Sequence, residues 1–168
     1  MEAYVIATAC TKFEKKADQT FKSLTEEVYC DLLKSAKVEN GNMIGQAWFG
    51  NCGMGTFGQN NIRGQVCFTP LVQKKLFPER VGIINVEGGC ATGSMAFHGA
   101  WKDVISGTED VSLAIGVEKI YQPNQPEKIQ EIYDGGIDQF DRNEWLEFYE
   151  SIGNCLLYTS DAADDGVG

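Results

Sequence analysis

Short apolar runs alternate with stretches of helical periodicity along most of this chain. The apolar runs that have the length of a strand cover residues 3–10, 43–52, 81–87 and 111–118. Continuous apolar runs of this length are typical of strands that are covered on both faces. Between them, apolar residues recur every three or four positions, which predicts helices over 21–36, 62–77 and 91–106. The order of elements predicts an α/β fold with a mostly parallel sheet and helices on both faces.

Individual residues mark the ends of these helices. Asp18, Thr20 and Ser23 are alternative N-caps for the first helix, and Gly107 suits the C-terminus of the third. Pro70 lies inside the second helical stretch, so we expect it to interrupt or kink that helix. A further short helix is predicted over 141–149. No repeat or linker divides the sequence, which indicates one domain.

The charge and hydropathy of the chain exclude several classes of partner. The net charge of the 168 residues is −10, and acidic residues concentrate after residue 127. Neither part has the basic surface that nucleic-acid binding requires, so no nucleic-acid partner is expected. No apolar run approaches the roughly 18 residues of a membrane span. The first residues resemble no secretion signal, which predicts a cytoplasmic protein.

The cysteines are scattered and form no CxxC pair. They are Cys10, Cys30, Cys52, Cys67, Cys90 and Cys155. A disulfide framework is typical of short secreted chains, so these residues are expected to be reduced thiols. With only one histidine in the chain, no metal site is expected.

Cys90 has a setting that a structural cysteine does not need. The segment NVEGGCATGSMAFHGAWKDVISG, residues 85–107, passes from a predicted strand through two glycines into a predicted helix, and Cys90 follows the glycines directly. In the first turn of a helix, unpaired backbone N–H groups and the helix dipole favour a thiolate. The same N–H groups stabilise the oxyanion that forms when an ester is attacked. The residues leave two interpretations open: a nucleophile or a tightly packed buried cysteine.

A second glycine-rich motif, GMGTFG at residues 53–58, matches the GxGxxG pattern of dinucleotide-binding turns. It follows the second predicted strand instead of the first, and a polar cluster stands where the helix should begin. The acidic residue Glu79, about 20 positions on, precedes a strand instead of ending one. We therefore interpret 53–58 as a connecting loop. A nucleotide-binding or redox α/β protein remains as an alternative.

The end of the sequence has a different character. Residues 155–165, CLLYTSDAADD, resemble the translation of a transposon-end adapter used to prepare DNA sequencing libraries. Such additions are excluded from fold reasoning. We therefore expect a native segment over residues 1–154 and a non-native tail over residues 155–168.

The segment VEGGCATGSMAF, residues 86–97, is similar to the nucleophile turn of the thiolase superfamily, especially the sterol-carrier-protein type with its CATG sequence. Three further segments resemble the family in the correct order. They are AYVIATACTKF at 3–13, FGQNNIRGQ at 57–65 and DVSLAIGVEKI at 110–120. Together these segments cover residues 3–120, most of the family's N-terminal half. The resemblance favours the nucleophile interpretation of Cys90.

The resemblance implies the N-terminal half of a thiolase-like fold, with a mixed but mostly parallel sheet. It implies an acyl-CoA acyltransferase, such as an acetyl-CoA acetyltransferase, in which Cys90 carries the acyl group as a thioester. Coenzyme A thioesters are then the substrates, with no separate cofactor, and the full-length protein is expected to be a homodimer or tetramer. In relatives the catalytic histidines and a second cysteine come from the C-terminal half. Residues 1–154 alone are therefore expected to be inactive.

Four further ionisable residues lie near Cys90 in the sequence or at the end of a predicted strand. His98 lies eight residues beyond Cys90, roughly 12 Å along a helix, so it is not the base and is expected on a surface. Many relatives have asparagine where this chain has Glu87, and a carboxylate there opposes thiolate formation. That departure leaves open a non-catalytic thiolase-like lipid- or acyl-CoA-binding protein or partner subunit. Glu118 and Lys119 are interpreted as a solvated ion pair without a role.

Overall fold

The computed structural model describes residues 2–152, which form an α/β fold. The elements in chain order are α1 (Phe21–Ala36), β1 (Gln46–Gly50), α2 (Arg63–Gln73), β2 (Gly82–Val86), α3 (Thr92–Ser106), β3 (Ser112–Gly116), α4 (Glu127–Asp134) and α5 (Arg142–Ser151). Two short 3₁₀ helices, Gly53–Phe57 and Gly89–Ala91, follow β1 and β2. The chain divides into two compact units after Ile132. The tail predicted over 155–168 lies outside the described residues.

The sheet places the ends of its strands together. The strands lie in the order β2-β1-β3, and both neighbouring pairs are parallel. In the central strand, Phe49 is in register with Asn85 of β2 and with Ile115 of β3. Because all three strands run in the same direction, the residues that follow them meet at one edge of the sheet.

One face of the sheet packs against α1 and α2. Ala47 and Phe49 of β1 are fully buried on this face, beside an aromatic cluster of Tyr29, Phe68 and Phe77. The rings of Phe68 and Phe77 meet edge to face, with their centroids 4.5 Å apart. Burial of each large apolar side chain here stabilises the fold by about 2–3 kcal/mol.

The helix α3 covers the opposite face. Trp48, which alternates with Ala47 and Phe49 along β1, donates from its indole Nε1 to the Oδ2 atom of Asp103 at 2.7 Å. Gly99 packs so closely on this ring that a Cβ atom there would lie 2.3 Å from it. The prediction of helices on both faces of the sheet is confirmed.

Thr20 and Gly107 end the first and third helices as predicted, whereas the second helix ends at Gln73 instead of 77 and the expectation for Pro70 is wrong in part. The hydroxyl of Thr20 accepts from the backbone N–H of Ser23 at 3.1 Å and caps α1. Gly107 ends α3 in the left-handed conformation, with φ 74°. Pro70 lies inside α2, and the helix continues through it to Gln73. Pro70 therefore does not interrupt the helix.

The strand predicted over residues 3–10 is wrong. This segment has no regular secondary structure, and its large apolar side chains are exposed, including Tyr4 at 76% and Ile6 at 70%. Residues 3–9 line a cavity of about 400 Å³ together with β3 and with side chains of α1 and α3. A strand requires backbone partners, and in the described residues the sheet consists of β2, β1 and β3 without this segment.

Candidate active site

Cys90 lies in the 3₁₀ turn Gly89–Ala91, between the end of β2 and the start of α3. Its side chain is exposed, so the chain as described does not bury it in a tightly packed site. The turn stands at the edge of the sheet where the three strands end. Cys90 is therefore accessible to a substrate from outside the core.

Two glycines shape the turn for different reasons. Gly89 has φ 57°, in the left-handed region that residues with a side chain rarely adopt. At Gly88, a Cβ atom would lie 2.3 Å from the Sδ atom of Met95 in α3. Gly88 thus permits the close approach of Met95 in α3, and Gly89 permits the bend that precedes Cys90.

Thr92, the first residue of α3, ties this turn to the helix. Its side chain is buried, and its Oγ1 atom accepts from the backbone N–H of Gly88 at 2.9 Å. The same hydroxyl donates to the carbonyl oxygen of Gly89 at 2.8 Å. The backbone on the N-terminal side of Cys90 is therefore held by one buried hydroxyl.

Glu87 also contacts the turn. Its Oε1 atom accepts from the backbone N–H of Gly89 at 2.8 Å. The carboxylate is thus turned toward the turn that carries Cys90 and is paired there with a neutral donor. Glu87 therefore belongs to the hydrogen-bond network of the turn that carries Cys90.

A buried asparagine joins the ends of the three strands. Asn51, which follows β1, donates from Nδ2 to the carbonyl oxygen of Val117 after β3 at 2.7 Å. Its backbone N–H donates to the carbonyl oxygen of Val86 at the end of β2, at 3.3 Å. Its Oδ1 atom accepts from the backbone N–H of Met54 at 3.0 Å. Asn51 thereby fixes the turn after β1 relative to both neighbouring strands.

The interpretation of Glu118 and Lys119 as a solvated ion pair is wrong. The Glu118 carboxylate accepts from the backbone N–H groups of Cys52 at 2.7 Å and Gly53 at 3.1 Å, and from the Asn51 amide. Lys119 is buried instead and donates to the carbonyl oxygen of Ala17 at 3.1 Å. The Glu118 carboxylate thus binds the first N–H group of the GMGTFG segment and the one before it, and the segment connects β1 to α2 as expected.

Cys52 brings the turn after β1 into contact with the turn after β2. Its Sγ atom lies 3.1 Å from the carbonyl oxygen of Gly89 and 2.9 Å from Oγ1 of Thr92. Burial raises the pKa of the Cys52 thiol, and the Glu118 and Glu87 carboxylates raise it further. The side chain is therefore held as a protonated thiol at neutral pH. Cys52 and Glu118 were not given a role from the sequence, although each is the last residue of a predicted strand.

His98 occupies the surface position that was expected. It is exposed on α3 and stacks on Trp101, with ring centroids 5.4 Å apart and an angle of 17° between the planes. Its place along α3 is about two helical turns beyond Cys90. His98 is therefore not positioned to take a proton from the Cys90 thiol.

Within residues 2–152, no group of three or more His, Cys, Asp or Glu side chains is arranged to hold a metal ion. None of the helices in that part of the chain is long and apolar enough to cross a bilayer.

Comparison with known proteins assigns this chain to a family. A family model described as "Thiolase, N-terminal domain" matches residues 3–141. The chain is 32% identical over 117 residues to a benzoylsuccinyl-CoA thiolase subunit, BbsB, of Thauera aromatica, covering 70% of this chain and 28% of the relative. It is also 32% identical over 117 residues to an acetyl-CoA acetyltransferase of Methanocaldococcus jannaschii, covering 69% of this chain and 28% of the relative. The chain thus spans less than a third of these relatives, and it belongs to the thiolase family through their N-terminal domain.

Proposed function

We propose that the protein containing this chain is an acyl-CoA acyltransferase of thiolase type and that Cys90 carries the acyl group. The observation that carries this proposal is the exposed thiol of Cys90 on a glycine turn directly before α3. Thr92 holds the backbone of that turn through its hydroxyl. The printed names of the relatives, an acetyl-CoA acetyltransferase and a thiolase subunit, favour the same class of reaction.

The proposed reaction has two transfers. The Cys90 thiolate attacks the carbonyl carbon of an acyl-CoA, a new C–S bond forms, and coenzyme A leaves as its thiolate. The α-carbanion of a second acyl-CoA then attacks the acyl-enzyme, so that a C–C bond forms and the Cys90 thiolate is released. In the opposite direction, coenzyme A accepts the acyl group.

Proton transfer in this proposal comes from the rest of the protein. His98 is the one histidine of the chain, and it stacks on Trp101 instead of facing Cys90. The relatives are more than three times as long as the matched region, which covers 28% of them. The proposal therefore assigns the catalytic bases to the remaining part, with residues 1–154 alone inactive. It includes a cytoplasmic homodimer or tetramer of the complete protein.

A second candidate function is acyl-CoA binding without turnover. The observation that favours it is Glu87, whose carboxylate bonds to Gly89 in the turn that carries Cys90. If this charge keeps Cys90 protonated, the site accommodates a thioester without forming an acyl-enzyme.

Isotope exchange distinguishes the two candidates. The complete protein is incubated with acetyl-CoA and isotopically labelled coenzyme A, and the label that appears in acetyl-CoA is measured. The first transfer and its reversal are sufficient for this exchange, so it requires no second acyl substrate.

The acyltransferase proposal expects exchange in the wild type and none in Cys90→Ala. Cys10→Ala is the matched control, because Cys10 is also an exposed cysteine but lies in the irregular N-terminal segment. Retention of acetyl-CoA without exchange would support the binding function, and exchange that survives in Cys90→Ala would contradict the assigned nucleophile.

A further inference from the structure

We infer that Cys52 is a positioning residue for Cys90, acting through the peptide group that joins Gly89 to Cys90. The Sγ atom of Cys52 lies 3.1 Å from the carbonyl oxygen of Gly89. The importance of this contact for acyl transfer rests on the proposed function of Cys90. The contact itself does not.

The planarity of the peptide group transmits the contact to Cys90. The Gly89 carbonyl and the Cys90 N–H belong to one planar unit, so fixing the oxygen fixes the orientation of the N–H and of the Cys90 Cα. This unit follows a left-handed residue, Gly89, whose own conformation is poorly restricted because it has no side chain. External hydrogen bonds therefore determine how well the turn is ordered.

Two side chains from different elements contact the Gly89 oxygen. Thr92 donates to it from the start of α3 at 2.8 Å, and Cys52 contacts it from the turn after β1. Cys52 also lies 2.9 Å from the Thr92 hydroxyl, so its single S–H proton is shared between the Gly89 oxygen and Oγ1 of Thr92, both of which belong to the turn or to the start of α3. Thr92 links the nucleophile turn to its own helix, whereas Cys52 links it to the central strand of the sheet.

The turn that carries Cys52 is itself well anchored. The Glu118 carboxylate accepts from the Cys52 N–H at 2.7 Å, and Asn51 ties the same turn to the ends of β2 and β3. The raised pKa of the Cys52 thiol keeps its proton available for donation at neutral pH. Cys52 thus presents a fixed donor to the nucleophile turn.

Two isosteric pairs of variants test the inference in the complete protein. Cys52→Thr keeps a donor and Cys52→Val removes it at nearly the same volume, while Cys52→Ser and Cys52→Ala form a second, smaller pair. For each variant, the rate of alkylation of Cys90 by iodoacetamide is measured against pH, with the modified peptide identified by mass spectrometry. Cys30→Ala is the matched control, since it deletes another partly buried thiol, on α1.

Within each pair, the variant without a donor is expected to alkylate Cys90 about fivefold more slowly at pH 7, the effect of one lost hydrogen bond. The pH profiles of the two members of a pair are expected to differ, because loss of the donor leaves the turn that carries Cys90 less ordered. Near wild-type profiles in Cys52→Thr, Cys52→Ser and Cys30→Ala complete the expected result. Equal alkylation profiles in the two members of a pair would overturn the inference. If Cys52→Thr or Cys52→Val does not fold, the comparison of Cys52→Ser with Cys52→Ala decides.

The same data separate this inference from the proposed function. Alkylation by iodoacetamide requires no acyl-CoA chemistry. If wild-type protein shows no coenzyme A exchange but the Cys90 profile still depends on the donor at position 52, the proposed function fails and the positioning role stands. If exchange occurs but the Cys90 alkylation profile does not depend on the residue at position 52, the proposed function stands and the positioning role fails.

Discussion

Two neighbouring turns of this molecule each carry a cysteine at the carboxyl end of a parallel strand. Cys52 follows β1 and Cys90 follows β2, and a short 3₁₀ helix accompanies each. Cys90 is exposed, whereas Cys52 is partly buried and contacts Gly89 and Thr92. The comparison teaches that surroundings, and not residue type or strand position, distinguish the two thiols, and our proposals of a nucleophile at Cys90 and a positioning residue at Cys52 rest on that difference.

The largest expected effect is the unequal cost of deleting the two thiols. Cys90→Ala is expected to lower the rate of coenzyme A exchange by about a thousandfold or more, because the acyl-enzyme cannot form. Cys52→Ala is expected to lower it by only about fivefold, the effect of one hydrogen bond. Exchange rates of the two variants, measured side by side at pH 7, check this difference. Similar losses in both would remove the distinction between the two turns.

A smaller effect is expected from a side chain in the bend before Cys90. Gly89→Ala places a Cβ in open space, but at φ 57° it costs about 1 kcal/mol in backbone strain. The Cys90 alkylation rate is expected to fall about fivefold. Gly93→Ala is the matched control, since its Cβ also meets nothing within 4 Å and it lies inside α3. An equal loss in Gly93→Ala would show that the left-handed conformation is not the cause.

The acidity of Cys52 provides a third test. Because burial and the Glu118 carboxylate raise the pKa of Cys52, its thiolate forms only above the pH range of an ordinary thiol. Alkylation of Cys52 is therefore expected to have a pH midpoint above that of an unperturbed cysteine, near 8.5. In Glu118→Gln the midpoint is expected to fall, since a negative charge is removed. An unchanged or higher midpoint in that variant would contradict the assigned contact.

The smallest effect concerns the carboxylate beside the reactive turn. Glu87→Gln keeps an oxygen that accepts from the Gly89 N–H but removes the charge. Alkylation of Cys90 at pH 7 is then expected to be faster by about twofold to fivefold, because a negative charge in the turn that carries Cys90 is removed. Glu79→Gln, a change of the same kind before β2, is the control. Slower alkylation in Glu87→Gln would show that the charge assists the thiolate.

Local patterns were sufficient to predict most of the elements around the site. The helical repeat that begins at Phe21, the cap at Thr20 and the terminating Gly107 all depend on neighbours within a few residues. The apolar runs at β1, β2 and β3 were likewise recognised, with ends displaced by a few residues. The short helix α4 was not predicted, because prolines and polar residues in 121–130 indicate a loop.

Contacts between distant segments account for what the sequence did not reveal. Residues 3–10 have the composition of a strand, yet they pair with none of the three strands of the described sheet, so composition without a partner does not make a strand. Glu118 accepts a hydrogen bond from Cys52 although the two residues are 66 positions apart in the sequence. Their turns meet because β1 and β3 are neighbours in the sheet. Cys90 was accessible to sequence reasoning because its glycines, thiol and helix are contiguous.

The most direct test of the central claim locates the acyl group on the protein. The complete protein is incubated with acetyl-CoA, quenched in acid and digested, and all its cysteine-containing peptides are searched for acetyl thioesters by mass spectrometry. The account predicts an adduct on Cys90 that is absent in Cys90→Ala and is not transferred to Cys52. An adduct on Cys52 or another cysteine, or none on a folded protein over several acyl chain lengths, would contradict it.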